Sequence, residues 1–122
     1  MDNNIKKPKN KVWLENGIVY YVISKPVDEK EAILLDNFGT EFINSGQAFY
    51  IIIDIRQSSQ FTSGARKVWV KFLQNSNAKK AAIFGGNIFV RTLASFVIAA
   101  THKKNIKFFN NKINALKWLM EK

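Results

Sequence analysis

"AFYIIIDI", residues 48–55, is an almost unbroken apolar run rich in β-branched side chains, broken only by the carboxylate of Asp54. A strand with one wet face alternates apolar and polar residues. This run does not alternate, which is the pattern of a strand covered on both faces by helices. It is therefore expected at the centre of a sheet.

The stretch that follows, "RQSSQFTSGARK" (56–67), passes through a cluster of hydroxyl residues into "ARKVWVKFL" (65–73). There Ala65, Val68, Trp69 and Phe72 recur at helical spacing, with Arg66, Lys67 and Lys71 turned outward. Thr62 or Ser63 would cap that helix by accepting a hydrogen bond from an otherwise unpaired amide. A phosphate on either hydroxyl would meet the helix N-terminus and Arg66, both favourable to anions, and would turn a neutral surface strongly negative. Cap and switch both stand as readings of Thr62 and Ser63, and Ser58 and Ser59 extend the set of hydroxyls.

Upstream, "KVWLENGIVYYVI" (11–23) is two β-rich runs about Asn16-Gly17, the dipeptide that supplies the positive φ angles of a tight hairpin. In "PVDEKEAILLDNFGTEFINSG" (26–46), Asp28 stands three residues before Glu31 as a capping-box analogue and Gly46 acts as a stop. Leu35, Phe38 and Phe42 share one stripe, and Gly39 within it marks either a close approach or a bend. Downstream come a buried strand at "KAAIF" (80–84), an apolar helix at "NIFVRTLASFVIAATH" (87–102), a strand at "IKFF" (106–109) and a last amphipathic helix. The order ββαβαβαβα predicts a mixed, mainly parallel α/β sheet with right-handed crossovers. Residues 1–11 are read as a flexible basic tail and 12–122 as one domain.

Composition narrows the chemistry. The 122 residues contain no cysteine and one histidine, which excludes thiolate catalysis and iron–sulfur or cysteine-based zinc sites, and suits a reducing cytoplasm. The N-terminus has charge without an apolar run behind it, so neither a signal peptide nor a transmembrane segment is expected. The formal charge is +10, and from Arg56 onward thirteen Lys or Arg face Glu121 alone. That asymmetry suggests an acidic partner or a solubilising surface. Without an aromatic RNA-binding strand or a helix-turn-helix signal, nucleic-acid binding would rest on charge alone and is not expected.

In the order and spacing of these elements the chain resembles the STAS superfamily, and within it the SpoIIAA-like proteins. The matching segments are the opening hairpin, "YIIIDIRQSSQFTSGAR" (50–66) as strand, loop and helix, "AAIFGGNIFVRTLASFVIA" (81–99) as strand, turn and apolar helix, and "IKFFNNKINALKWL" (106–119). The resemblance implies a non-enzymatic regulatory module that binds a protein partner. In the anti-sigma factor antagonists of this superfamily a serine at the start of that helix is phosphorylated; Ser63 is its counterpart here and Asp54 matches the strand-end aspartate. The residue before the serine is Thr62 where those proteins carry an acid, and the loop is about one residue shorter.

Three further features have functional readings. Asp54 closes a strand where ligand-binding residues collect in open parallel sheets, although pairing with Arg56 would equally occupy it. "FGGN" (84–87) sets Gly85, Gly86 and Asn87 between strand and helix with Arg91 one turn on, an arrangement able to hold an anion or simply to turn the chain. Finally, helix 88–100 is apolar round most of its circumference, so a second burial surface is expected, with Phe89, Leu93, Phe96 and Val97 as its candidates. A homodimer is one expectation for that surface, with Glu41 or Asp36 as the acid opposite Arg91. An apolar ligand or lipid is the other, suggested by a resemblance of SpoIIAA-like chains to CRAL-TRIO lipid-transfer domains. No cofactor and no metal is expected.

Overall fold

Ile51, Ile52 and Ile53 are all essentially inaccessible to solvent in the computed structural model, which describes residues 7–58 and 60–121. They belong to strand β3 (Tyr50–Asp54), the middle strand of a five-stranded sheet. Strands β1 (Lys11–Glu15) and β2 (Ile18–Val22) form the antiparallel hairpin, whose turn residues Asn16 and Gly17 have φ of 52° and 76°. β2, β3, β4 (Lys80–Phe84) and β5 (Ile106–Phe109) run parallel in chain order. Each crossover steps one strand in the same direction, so right-handedness puts its helix on the same side every time. α1 (Glu29–Asn44), α2 (Ser63–Asn75) and α3 (Ile88–Thr101) accordingly share one face with Ile51 and Ile53. α4 (Lys112–Met120) covers Ile52 from the other. The element order is the expected one.

α1 is held against both the sheet and α2 at Gly39. A Cβ at that position would collide with the Tyr21 hydroxyl and the Phe72 ring. Tyr21 has no room to yield: its hydroxyl donates to the Leu35 carbonyl at 3.1 Å, and its ring meets Trp69 edge-on at 5.1 Å. Gly39 therefore serves close approach. The inward stripe runs through Ala32, Leu35, Gly39 and Ile43, which leaves Phe38 largely at the surface.

The start of the domain departs from expectation. Asp28 does cap α1, its Oδ1 accepting from the Glu31 amide at 2.9 Å. Glu31, instead of returning to the Asp28 amide, accepts from the backbone amides of Lys9 and Asn10 at 2.9 and 2.8 Å. Asn10 is buried, and its Oδ1 accepts from the amides of Ser24 and Lys25. Thus the last part of the expected tail is anchored, because a buried carboxylate on α1 needs donors and this segment supplies them. Residues 1–6 of that tail lie outside the described residues.

Asp36 is the least comfortable group in the core. It is buried on α1, and neither carboxyl oxygen has a hydrogen-bond partner among the described residues. Burial pushes its pKa up to about 9, so the folded chain holds it neutral. It cannot serve as the surface acid expected opposite Arg91.

Gly39→Ala should lose about 1–3 kcal/mol in urea unfolding, since overpacking against Tyr21 and Phe72 outweighs the gain of about 1 kcal/mol in helix propensity. An unchanged or raised midpoint would show that Tyr21 moves aside. For Asp36, the unfolded carboxyl ionises near pH 4 while the folded one keeps its proton to about pH 9. The folded state thus binds the extra proton in that window, and stability falls as pH rises through it, by up to about 1.4 kcal/mol per pH unit from this group. Asp36→Asn should accordingly be more stable than the parent at pH 8 and nearly equal to it at pH 4.5, measured as urea midpoints.

Candidate functional site

The loop from β3 to α2 is pinned by long-range backbone pairing. Val27 forms a parallel bridge with Phe61: the Val27 amide donates to the Gln60 carbonyl at 3.0 Å and the Thr62 amide to the Val27 carbonyl at 3.1 Å. This fixes where the helix begins. Thr62 takes the extended backbone of a cap, and its Oγ1 accepts from the Ala65 amide at 3.1 Å. Ser63 is then the first helical residue, exposed to solvent. Arg66, expected to point outward, is half-buried and donates from Nη1 to the Phe61 carbonyl at 2.9 Å. The guanidinium thereby stays at the helix N-terminus with further N–H donors in its fork.

The other candidates of this loop separate. Asp54 is engaged by its own neighbour: it accepts from the Arg56 backbone amide at 3.0 Å, and its Oδ2 lies 2.7 Å from Arg56 Nη2. The Arg56 guanidinium lies over the Phe84 ring. Asp54 thus ties the loop to the strand end. Ser58 is buried, and its hydroxyl has no partner among the described residues, which places it out of reach of a modifying enzyme in the folded chain. Ser59 lies outside the described residues.

The groups around the "FGGN" turn are engaged within the chain. Gly85 and Gly86 have φ of 90° and 86°, the left-handed backbone that turns β4 sharply into α3. The Gly85 amide already donates to the Phe109 carbonyl, and Asn87 Oδ1 caps α3 by accepting from the Val90 amide at 2.9 Å. Arg91 leans the other way, over the Phe108 ring at 5.1 Å. A tight strand-to-helix connection is what these side chains build. His102, at the other end of α3, closes the helix in the left-handed conformation with φ 58°.

The four residues expected on one dimer or ligand surface of α3 divide between two environments. Phe89 and Phe96 are each 65% exposed. Leu93 and Val97 are half-buried and line a mainly apolar cavity of about 40 Å³ between α2, α3 and the sheet, together with Ile53, Trp69 and Ile83. Phe61, the residue before the cap, also lines it. Sequence reasoning missed Phe61 as a lining residue, although a hydrophobic side chain just before a helix cap often packs back on the first turns. Drug-sized ligands occupy roughly 300–1,000 Å³, so the cavity as it stands admits the tip of one side chain rather than a lipid.

Among the described residues no cluster of His, Asp or Glu is placed to hold a metal ion, and no helix is long and apolar enough to cross a membrane. A family model described as "Domain of unknown function (DUF7793)" matches residues 12–122. No curated protein matches the sequence. The anti-sigma factor antagonist SpoIIAA in its unphosphorylated form is similar in structure, with a TM-score of 0.67 at 10% identity over 88% of this chain and 94% of that one. The protein TM1081, solved by NMR, gives 0.72 at 15% identity over 91% and 88%. An uncharacterised DUF3478-family protein from Shewanella loihica PV-4, described as having a SpoIIAA-like fold, gives 0.59 at 18% identity over 98% of both chains. The fold is SpoIIAA-like, in agreement with the resemblance of the sequence.

The cap assignment separates two neighbouring hydroxyls. Thr62→Ala should cost about 1 kcal/mol in chemical denaturation, whereas Ser63→Ala should stay within about 0.5 kcal/mol of the parent. The reverse ranking would move the cap to Ser63.

Proposed function

We propose that this chain, which belongs to the DUF7793 domain family, is a non-enzymatic cytoplasmic regulatory module that binds a protein partner and is switched by phosphorylation of Ser63. The observation that carries the reading is the division of labour at the start of α2. Thr62 holds the cap, so the exposed Ser63 hydroxyl is free to be modified without unwinding the helix. A phosphate there would stand on the first-turn amides and within reach of the guanidinium that Arg66 holds nearby. The partner would then meet about two negative charges where it had met a neutral surface. The fold shared with an anti-sigma factor antagonist supports the same reading, since that protein is described by its phosphorylation state.

Enzymatic turnover has little to work with. Asp54 is neutralised by Arg56, and Asp36 is buried and protonated. His102 is a helix terminus without an acid beside it in sequence. A general acid and base at a shared cleft would need groups that these positions do not bring together. An apolar-ligand carrier is less well supported, because the cavity under α3 measures only about 40 Å³.

The test is recovery of cross-linked partners from the native cell with tagged Ser63→Ala and Ser63→Glu chains, alongside mass-spectrometric mapping of phosphate on the parent. A partner retained by Ser63→Ala and lost with Ser63→Glu, with phosphate found on Ser63, is the expected outcome. Equal recovery by both variants would remove the switch.

A further inference from the structure

Among the described residues α3 is the last helix on its face of the sheet and has a helical neighbour on one side only, α2. Phe89, Leu93, Phe96 and Ala100 recur on it at i, i+4, i+7 and i+11, which places them on one stripe. Leu93 belongs both to that stripe and to the cavity whose far wall is Trp69 and Leu73 of α2. Stripe and cavity therefore form one apolar track along the α2–α3 groove, about 16 Å long from Phe89 to Ala100, or three helical turns. Exposed apolar tracks of this kind mark docking surfaces.

Charge says what fits it. From Arg56 to Met120 the sequence has twelve Lys or Arg and no carboxylate. Arg66 forms part of the cavity wall, and Lys67 is exposed one residue on. Lys103, at the other end, donates to the Leu73 and Ser76 carbonyls that close α2, with Lys104 exposed beside it. A second copy of this chain would bring these like charges face to face. A bilayer surface would touch Phe89 and Phe96 but would not reach Ile53 and Ile83 on the cavity floor, beneath the helices. A side chain projecting from a helix does reach there.

We propose that the α2–α3 groove receives an acidic amphipathic helix of a partner protein. Its apolar side chains lie along Phe89 to Ala100, one of them entering the cavity, and its carboxylates face Lys67 and Lys104. The inference rests on the protein-binding reading above but does not depend on Ser63.

The test displays three peptide libraries of about 16 residues, each about 24 Å long when helical and so able to span the groove with a turn to spare. One carries apolar anchors at i, i+4 and i+7 with Asp and Glu elsewhere, one has Lys and Arg in place of the acids, and one is scrambled. The acidic amphipathic library should be enriched on the intact chain, and its binders should shift amide resonances of 66–73 and 89–100. Affinity should fall about tenfold or more for Phe96→Ser and for the double variant Lys67→Glu, Lys104→Glu. Circular dichroism verifies that each variant folds, and Phe89→Ser provides a second probe of the stripe. No preference for the acidic library, or binders indifferent to these substitutions, overturns the proposal. So does sedimentation with phosphatidylglycerol vesicles that the peptides fail to compete, which would assign the track to a membrane, or a dimer dispersed by Phe96→Ser, which would assign it to a second copy. Either outcome leaves the Ser63 comparison intact, and a failed Ser63 switch leaves the groove intact.

Discussion

A central strand with no wet face requires cover on both sides, and the rest of this molecule is arranged to supply it. Ile51 and Ile53 look into the three-helix layer and Ile52 into α4. Each fully buried aliphatic side chain is worth roughly 1.5–3 kcal/mol, so neither layer can be left off without exposing a large part of the core. Parallel neighbours on both sides of β3 force the crossover helices, and their common hand stacks α1, α2 and α3 together. Gly39 and Tyr21 then set how closely that stack sits on the sheet.

The cover is uneven, and the proposed docking groove lies where it is thinnest. α1 and α2 pack against each other and against the sheet, and α2 fully buries Ala65, Trp69, Phe72 and Leu73. α3 fully buries only Val90 and Thr101 and leaves aromatic side chains in water, at a cost in solubility that a purely structural helix would not incur. The same edge carries basic residues without carboxylates, whereas the acids gather on and around α1. Asp36 and Glu31 show how the acidic side is handled: one is neutralised by burial, the other is wrapped by the amides of Lys9 and Asn10.

Much of this architecture was legible. The unbroken run at 48–55, the Asn16-Gly17 hairpin and the alternation of strand and helix signals each rest on local chemistry, and all of them stand in the structure. Of the two readings of Gly85–Arg91, the side chains favour the plain turn, because Asn87 caps α3 and Arg91 finds the Phe108 ring across on β5. The expected surface of α3 split between solvent and cavity for a similar reason: apolar periodicity shows that a helix has an inner face, but not how wide a neighbour will cover it.

Sequence by itself determined the strand that must be central, the hairpin, the starts of α1, α2 and α3 to within a residue, and the concentration of positive charge after Arg56. These follow from side-chain period, backbone preference and simple counting, which need no partner in space. Only the tertiary structure decided which hydroxyl caps α2. Thr62 and Ser63 offer the same oxygen chemistry, and the choice is made by the Val27–Phe61 bridge, a contact between segments more than thirty residues apart. The edge position of α3, the burial of Asp36 and the capture of Asn10 by Glu31 are likewise consequences of what lies next to what.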